Sequence, residues 1–490
     1  MKDFKVTKYH RAFLWLALLF MVMWTRFYHL SAKPIHFDES INGWFSLQIF
    51  KGLYKYDPNN YHGPLYFYLL AAFESLWGRS LEILRTVPAV FSVLSVVLFS
   101  FRPLRSPKTE NWLLFFLFLS PSFIFFGRSG IHEMPFVFFQ ILLMVGVIRW
   151  LELKDTKALT LVLFGVWGIA LLKETFVITL FSLFIALCTL GFSWWKDLAI
   201  QIRRLWNTQL TWLGLILLLL FAQFYTSFFT NPQGLIDFVK SFLPWAKTGV
   251  QGHGHEKEFW YWLAVLFKAE PVVLLGVIVS CFTIFGKSSR LRTVSIFSLI
   301  QLSIYSVIPY KTVWCLLTIV WGFYFVLAFA FMEIKRARLR NLLIVMTLLL
   351  SVFNIPSVYN SVYRTPLQFS HPFFYVNSTY AAQKMQNLIL QTAKEQPALF
   401  DEPLQIGMPE QWPWPWTLRH FTKLSYDLCG KNPIRGASIY MCERLDMPMM
   451  DDILGEEYWK VELPIRQARE NSVIYLKKSF FKEEPRINNE

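Results

Sequence analysis

The segment KPIHFDESINGWF (Lys33–Phe45) sets two adjacent carboxylates, Asp38 and Glu39, beside His36 and between aromatic and apolar flanks. Carboxylates can take a proton from a hydroxyl or an amine. Similar sets recur along the chain: His62 in YHGPLY; Arg128, His132 and Glu133 in GRSGIHEM; Lys173 and Glu174 in LKET; His253, His255, Glu256 and Glu258 in HGHEKE; and Tyr310 and Lys311 in IPYKTVW. Each set borders an apolar stretch. Ionisable groups at bilayer depth are costly, which makes them functional candidates. Lys and Arg can stabilise charge building on a phosphate leaving group. Acids and cations together suit transfer from a lipid-phosphate donor, such as a polyprenyl-phosphate sugar, to a polar acceptor.

The elements that must position these residues are membrane spans. Of 490 residues, 54% are hydrophobic, 18% aromatic and only 17% charged. Many segments approach the roughly 20 apolar residues that cross a bilayer. The net charge of +15 comes largely from short loops between them, as the positive-inside rule requires. That placement argues against nucleic acid as a partner. The basic N-terminus and the loops FRPLRSPK, RWLELKDTK, KDLAIQIRR, GKSSRLR and EIKRARLR are expected in the cytoplasm. The chemistry-bearing sets then fall on the outer side. The first apolar run lacks a small-residue cleavage site, so it is expected to stay as a helix rather than leave as a signal peptide.

The expected architecture is a mainly α, polytopic membrane protein of about eleven transmembrane helices. Residues 1–355 form the membrane domain. Within it, a first outer loop covers about 31–85, with a juxtamembrane or re-entrant helix over 64–78. That stretch is short for a span and contains Glu74. Residues 356–490 turn polar and are expected to form a small extracytoplasmic α/β domain, in which LQIGM and SVIYLKK read as strands.

The acid pair in the first outer loop, the HGPLYFYLL helix after it and RSGIHEMPFVFF in the second loop resemble the GT-C glycosyltransferase superfamily. Its relatives here are the dolichyl-phosphate-mannose–protein mannosyltransferases and the bacterial aminoarabinose transferase of lipid A. Within that group YHGPLYFYL, IPYKTVW and WPWPWTLRHF look most like the flippase-activity-associated proteins of archaeal N-glycosylation, a family with bacterial members. The resemblance covers most of the chain. It implies a cytoplasmic-membrane enzyme that moves a sugar from a polyprenyl-phosphate donor to an outer-face acceptor, which is a protein, a lipid or a glycan. The alternative is a lipid-linked-sugar flippase or a non-catalytic accessory subunit. A secondary transporter fits less well, because no internal repeat is present and the charges gather at one face.

Each candidate has a plainer reading beside the functional one. Asp38 is the expected general base, or else a helix N-cap. Glu39 positions the acceptor, binds a metal, or favours the helix dipole. Glu133 and Arg128 belong to the site or form a salt bridge. His132 is a ligand or an interfacial histidine, and His62 is a substrate contact. Lys311 and Lys173 are assigned to phosphate; Lys311 could instead snorkel, and Lys173 has Glu174 as a ready partner. Tyr310 flanks Lys311. His253 and His255 supply two metal ligands at most, short of a closed site. A divalent metal is therefore possible, and no cofactor is certain. WPWPW (Trp412–Trp416) is a sugar platform or an interfacial anchor. Cys429 and Cys442 lie on the oxidising side with turn-rich sequence between them. They form a disulfide or remain two buried thiols.

Overall fold

The computed structural model describes residues 8–252, 254–365, 367, 371–466, 471–485 and 487. The chain divides into two units: Met1–Leu30, Ile49–Thr365 and Ser370–Phe373 in the first, and Ser31–Gln48, Pro366–Phe369 and Phe374–Glu490 in the second. The loop that carries the acid pair therefore shares a unit with the C-terminal residues.

In chain order the helices begin with α1 (Lys8–Phe27), α2 (Phe37–Phe50), α3 (Leu65–Trp77), α4 (Leu81–Val97), α5 (Pro107–Leu119) and α6 (Pro121–Phe126). Next come α7 (Glu133–Leu153), α8 (Thr156–Leu172), α9 (Phe176–Cys188), α10 (Phe192–Leu205), α11 (Thr208–Tyr225), α12 (Gly234–Lys240) and α13 (Phe242–Gln251). They are followed by α14 (Tyr261–Ala269), α15 (Pro271–Thr283), α16 (Ser289–Val307), α17 (Leu316–Glu333) and α18 (Ala337–Tyr359). The helix expected over residues 64–78 is α3. Five helices among the described residues are long and apolar enough to cross a membrane: Leu81–Phe101, Glu133–Leu153, Thr208–Tyr225, Val313–Glu333 and Ala337–Arg364. The pair α9 and α10, bent by 113°, makes a sixth if it is one span.

Polar residues set the helix starts in the first unit. The side chains of Ser80, Asp155, Asn207 and Ser288 accept the backbone N–H three residues on and so cap α4, α8, α11 and α16. The helix α17 is apolar all round and buried along nearly its whole length, so it forms the centre of the unit together with α7. Glu270, the residue before α15, is buried here. Its carboxylate accepts from Ser120 Oγ (2.8 Å), Ser122 N–H (2.8 Å), Ser122 Oγ (2.5 Å) and Tyr324 OH (2.6 Å). Those donors satisfy the acid and tie α6, α15 and α17 together.

The second unit is built on five strands: β1 (Pro403–Gly407), β2 (Lys423–Ser425), β3 (Ile439–Glu443), β4 (Tyr458–Pro464) and β5 (Asn471–Lys477). Their order is β2-β1-β3-β5-β4. β1 runs parallel to both β2 and β3, whereas β5 is antiparallel to β3 and to β4. Both strands expected from LQIGM and SVIYLKK are present, as β1 and β5. Side chains alternate between two cores, as the period of two demands. Ile439, Met441, Ile474 and Leu476 join Met385 and Ile389 of α19 (Tyr380–Glu395) on one face. Tyr440, Cys442, Val473 and Tyr475 face the other way, toward Met450 of α21 (Met447–Leu454), which follows the short α20 (Trp414–Thr417). In that second core Cys429 and Cys442 form a disulfide, with Cα atoms 5.6 Å apart. Asn377, which begins an NST sequon, is buried and bridges to His36 by backbone pairing.

Candidate functional site

In the second unit the acid pair lies at the start of α2. The helix cap there is His36, not Asp38. His36 Nδ1 accepts the Asp38 N–H at 3.1 Å, and Glu39 Oε2 accepts the His36 N–H at 2.8 Å. This is a capping box with an imidazole in the usual hydroxyl position. His36 Nε2 donates to the Tyr375 carbonyl at 2.8 Å, so one neutral tautomer makes both bonds. Glu39 is fully buried and belongs to the cap. The Asp38 side chain is half-buried, and among the described residues no hydrogen-bond or ion-pair partner holds its carboxylate. The N-cap alternative for Asp38 is thereby corrected.

The WPWPW segment is mostly interior. Trp414 and Trp416 are buried, whereas Trp412 is half-buried and meets Trp44 of α2 edge-on, with ring centroids 6.2 Å apart. A Cβ at Gly43 would collide with the Trp416 ring, so the glycine lets α2 lie flat on this segment. A sugar platform made of all three tryptophans does not exist, because two of them are core.

In the first unit, five of the expected residues converge on the loop between α8 and α9. The YHGPLY turn docks there because Gly63 has no side chain. A Cβ would strike the Leu171 carbonyl, and the Gly63 N–H donates to Leu172 O at 3.1 Å. Tyr61 completes the turn with φ +42°. His62 Nδ1 then lies 2.9 Å from Glu174 Oε2. Lys173 forms a buried ion pair with Glu133 and sits 3.7 Å from Cys315 Sγ. His132 is buried, its ring 4.9 Å from that of His62 and 4.5 Å from that of Tyr66, and among the described residues its Nε2 has no partner. The expected Lys173–Glu174 pairing does not occur: each residue takes its partner from a different loop. Two features were not found from sequence, the His62–Glu174 bond and the approach of Cys315 to Lys173.

Arg128 lies elsewhere in the same unit. It donates to the carbonyls of Arg26 (3.2 Å) and His29 (2.7 Å) at the end of α1 and stacks on Tyr363. Arg26, also buried, donates to Leu117 O and Phe118 O at the end of α5, both at 2.9 Å. Each guanidinium thus complements the negative end of a helix. The salt-bridge alternative for Arg128 and Glu133 is replaced by these separate partners.

His255, Tyr310 and Lys311 meet where the two loops pair through an isolated antiparallel bridge between Glu256 and Tyr310. Lys311 N donates to His255 O and Lys257 N to Pro309 O, both at 3.1 Å, and the His255 and Tyr310 rings are 5.2 Å apart. The Lys311 ammonium is buried and donates to Ile308 O (2.5 Å) and Lys257 O (3.1 Å). Burial lowers its pKa, against the opposing charge of Glu258. His253 lies outside the described residues. Among the described residues no group of three or more His, Cys, Asp or Glu could hold a metal ion.

No family model and no curated protein sequence matches the chain. Solved structures do. The crystal structure of ArnT from Cupriavidus metallidurans bound to undecaprenyl phosphate matches with a TM-score of 0.65 at 10% identity, over 96% of this chain and 98% of that one. The apo state of the same protein matches with a TM-score of 0.64 at 11% identity, over 95% and 98%. The chain therefore has the fold of these ArnT structures.

Proposed function

We propose that the protein is a GT-C-type glycosyltransferase of the cytoplasmic membrane, which moves a sugar from a polyprenyl-phosphate carrier to an acceptor on the outer face. Asp38 takes the proton of the acceptor hydroxyl or amine. The freed oxygen or nitrogen attacks the anomeric carbon, the carbon–oxygen bond to phosphate breaks, and polyprenyl phosphate leaves with the electron pair. The observation that carries this reading is the Asp38 carboxylate, which among the described residues has no partner, while His36 and Glu39 carry out the capping. The ArnT structure over which the chain aligns holds undecaprenyl phosphate, which supports a lipid of this class as donor. Lys311, Arg128 and Lys173 remain the candidates for the donor phosphate, with His62 as a substrate contact and Glu133 as a second acid. Basic loops placed inside give about eleven spans, a cytoplasmic N-terminus and residues 356–490 outside.

The test is Asp38→Asn, which keeps the size of the side chain and removes the base. With labelled polyprenyl-phosphate sugar, transfer by the purified variant should fall roughly 10²–10⁴-fold at unchanged protein level. Near-full activity would remove Asp38 from the mechanism. The accessory or flippase reading draws on a different observation: the Lys173, Lys311 and Arg128 head groups already have intramolecular partners. Absence of transfer by the unaltered protein with every donor sugar tried would favour it.

A further inference from the structure

The helix α10 follows α9 after a 113° bend, and none of its residues is buried. At about 100° per residue, Trp194, Leu198, Ile202 and Leu205 share one face. They pack on Trp150, Ala158, Leu159 and Leu210, which lie in the last turn of α7 and the first turns of α8 and α11. The helix therefore lies across the ends of three helices. A broken span would instead place it alongside them at mid-depth.

The same wheel puts Phe192, Trp195 and Ala199 on the next strip round, and Phe192 is 75% exposed. Lys196 and Arg203 border that strip. The Lys196 ammonium lies 4.9 Å from the Phe192 ring centroid. Among the described residues neither Lys196 nor Arg203 has an acidic partner. Cations beside an exposed apolar strip, on a helix crossing the ends of a bundle, match an interfacial amphipathic helix.

We infer that α10 lies in the inner-leaflet interface, where Lys196 and Arg203 bind the phosphates of anionic phospholipids and the Phe192–Ala199 strip enters the acyl boundary. The inner-leaflet placement rests on the topology proposed above. Both cations can reach headgroup phosphates while the strip stays out of water, which satisfies the charges and the apolar area together.

The experiment uses the full chain with Cys188→Ser and Cys281→Ser, reconstituted in phosphatidylcholine alone or mixed equally with phosphatidylglycerol. Native mass spectrometry reads the lipids that remain bound, and a spin label on Ala199→Cys reads depth. Phosphatidylglycerol should be retained in preference, and Lys196→Gln/Arg203→Gln should cut that preference roughly tenfold. Arg336→Gln/Arg338→Gln, a charge loss elsewhere, should leave it unchanged. The label should report the acyl boundary. The inference is overturned by equal retention of the two lipids, by an equal effect of the two charge variants, or by a label in water or at the midplane. An impermeant thiol reagent applied to cells bearing Arg204→Cys separates the two readings. Labelling from outside would overturn the inner placement, and with it the topology, whatever the lipid preference.

Discussion

Lys173 and Glu174 are chain neighbours, yet their side chains part. Lys173 has extended backbone (φ −155°, ψ 138°), and successive side chains on extended backbone point to opposite sides. One reaches Glu133 and the other His62. Breaking a buried pair by removing one charge leaves the other uncompensated. Glu133→Gln should therefore cost about 3–5 kcal/mol, read as a large fall in apparent Tm of the purified protein. Glu133→Gln/Lys173→Met should be less destabilised than Glu133→Gln alone; an equal or greater loss would mean that the two residues do not act as a pair. A surface acid gives a prediction in pH. Burial works against the ionised Asp451 carboxyl, but hydrogen bonds from Lys460 (2.7 Å) and Tyr475 (2.8 Å), with the Lys460 charge, hold it below its ordinary value. A carboxyl depressed on folding contributes stability above its unfolded pKa and loses it as pH falls through the folded value. The second unit should weaken as pH drops below about 4. Asp451→Asn should flatten that acid limb, and an unaltered limb would show that Asp451 does not contribute.

The elements that position the candidate residues depend on close approaches as much as on helix propensity. The YHGPLY turn sits against the end of α8 only because Gly63 carries no Cβ. Gly63→Ala must push the turn away from Leu171 and Leu172, with the roughly 1–3 kcal/mol cost of overpacking. It should also release His62 from Glu174. The expected result is lower thermal stability together with a loss of transfer. Full retention of both would mean that the turn has room to move. In the second unit β1 and β5 were readable as strands from sequence, whereas β3 was not, and Cys442 of β3 falls on the face where Cys429 lies.

At the scale of the molecule, the prediction is topological. A reporter fused after Gly78, beyond α3, should read the outer side if α3 dips back without crossing. A cytoplasmic signal there would make α3 a span and shift every later crossing. The helix is short, 13 residues, and Glu74 on it is buried with Arg79 Nε 3.4 Å from its carboxylate. A paired internal acid and that length both suit a helix held against protein.

The helical class and two of the five C-terminal strands were legible in the sequence, because apolar length and period are local properties; the sequence left Cys429 and Cys442 open between a bridge and two thiols, and the fold decided for the bridge. The loop motifs also named most of the charged residues that the structure brings together around Lys173. Partner choice was not legible. His36 rather than Asp38 caps α2 because Tyr375, 339 residues away, accepts from its other ring nitrogen. Arg128 turns to the end of α1, and Lys311 to the carbonyls of Ile308 and Lys257, because burial demands an acceptor for every N–H. A sequence lists which groups can donate, accept or carry charge; which of them meet depends on packing between distant segments, and only the tertiary structure decided that.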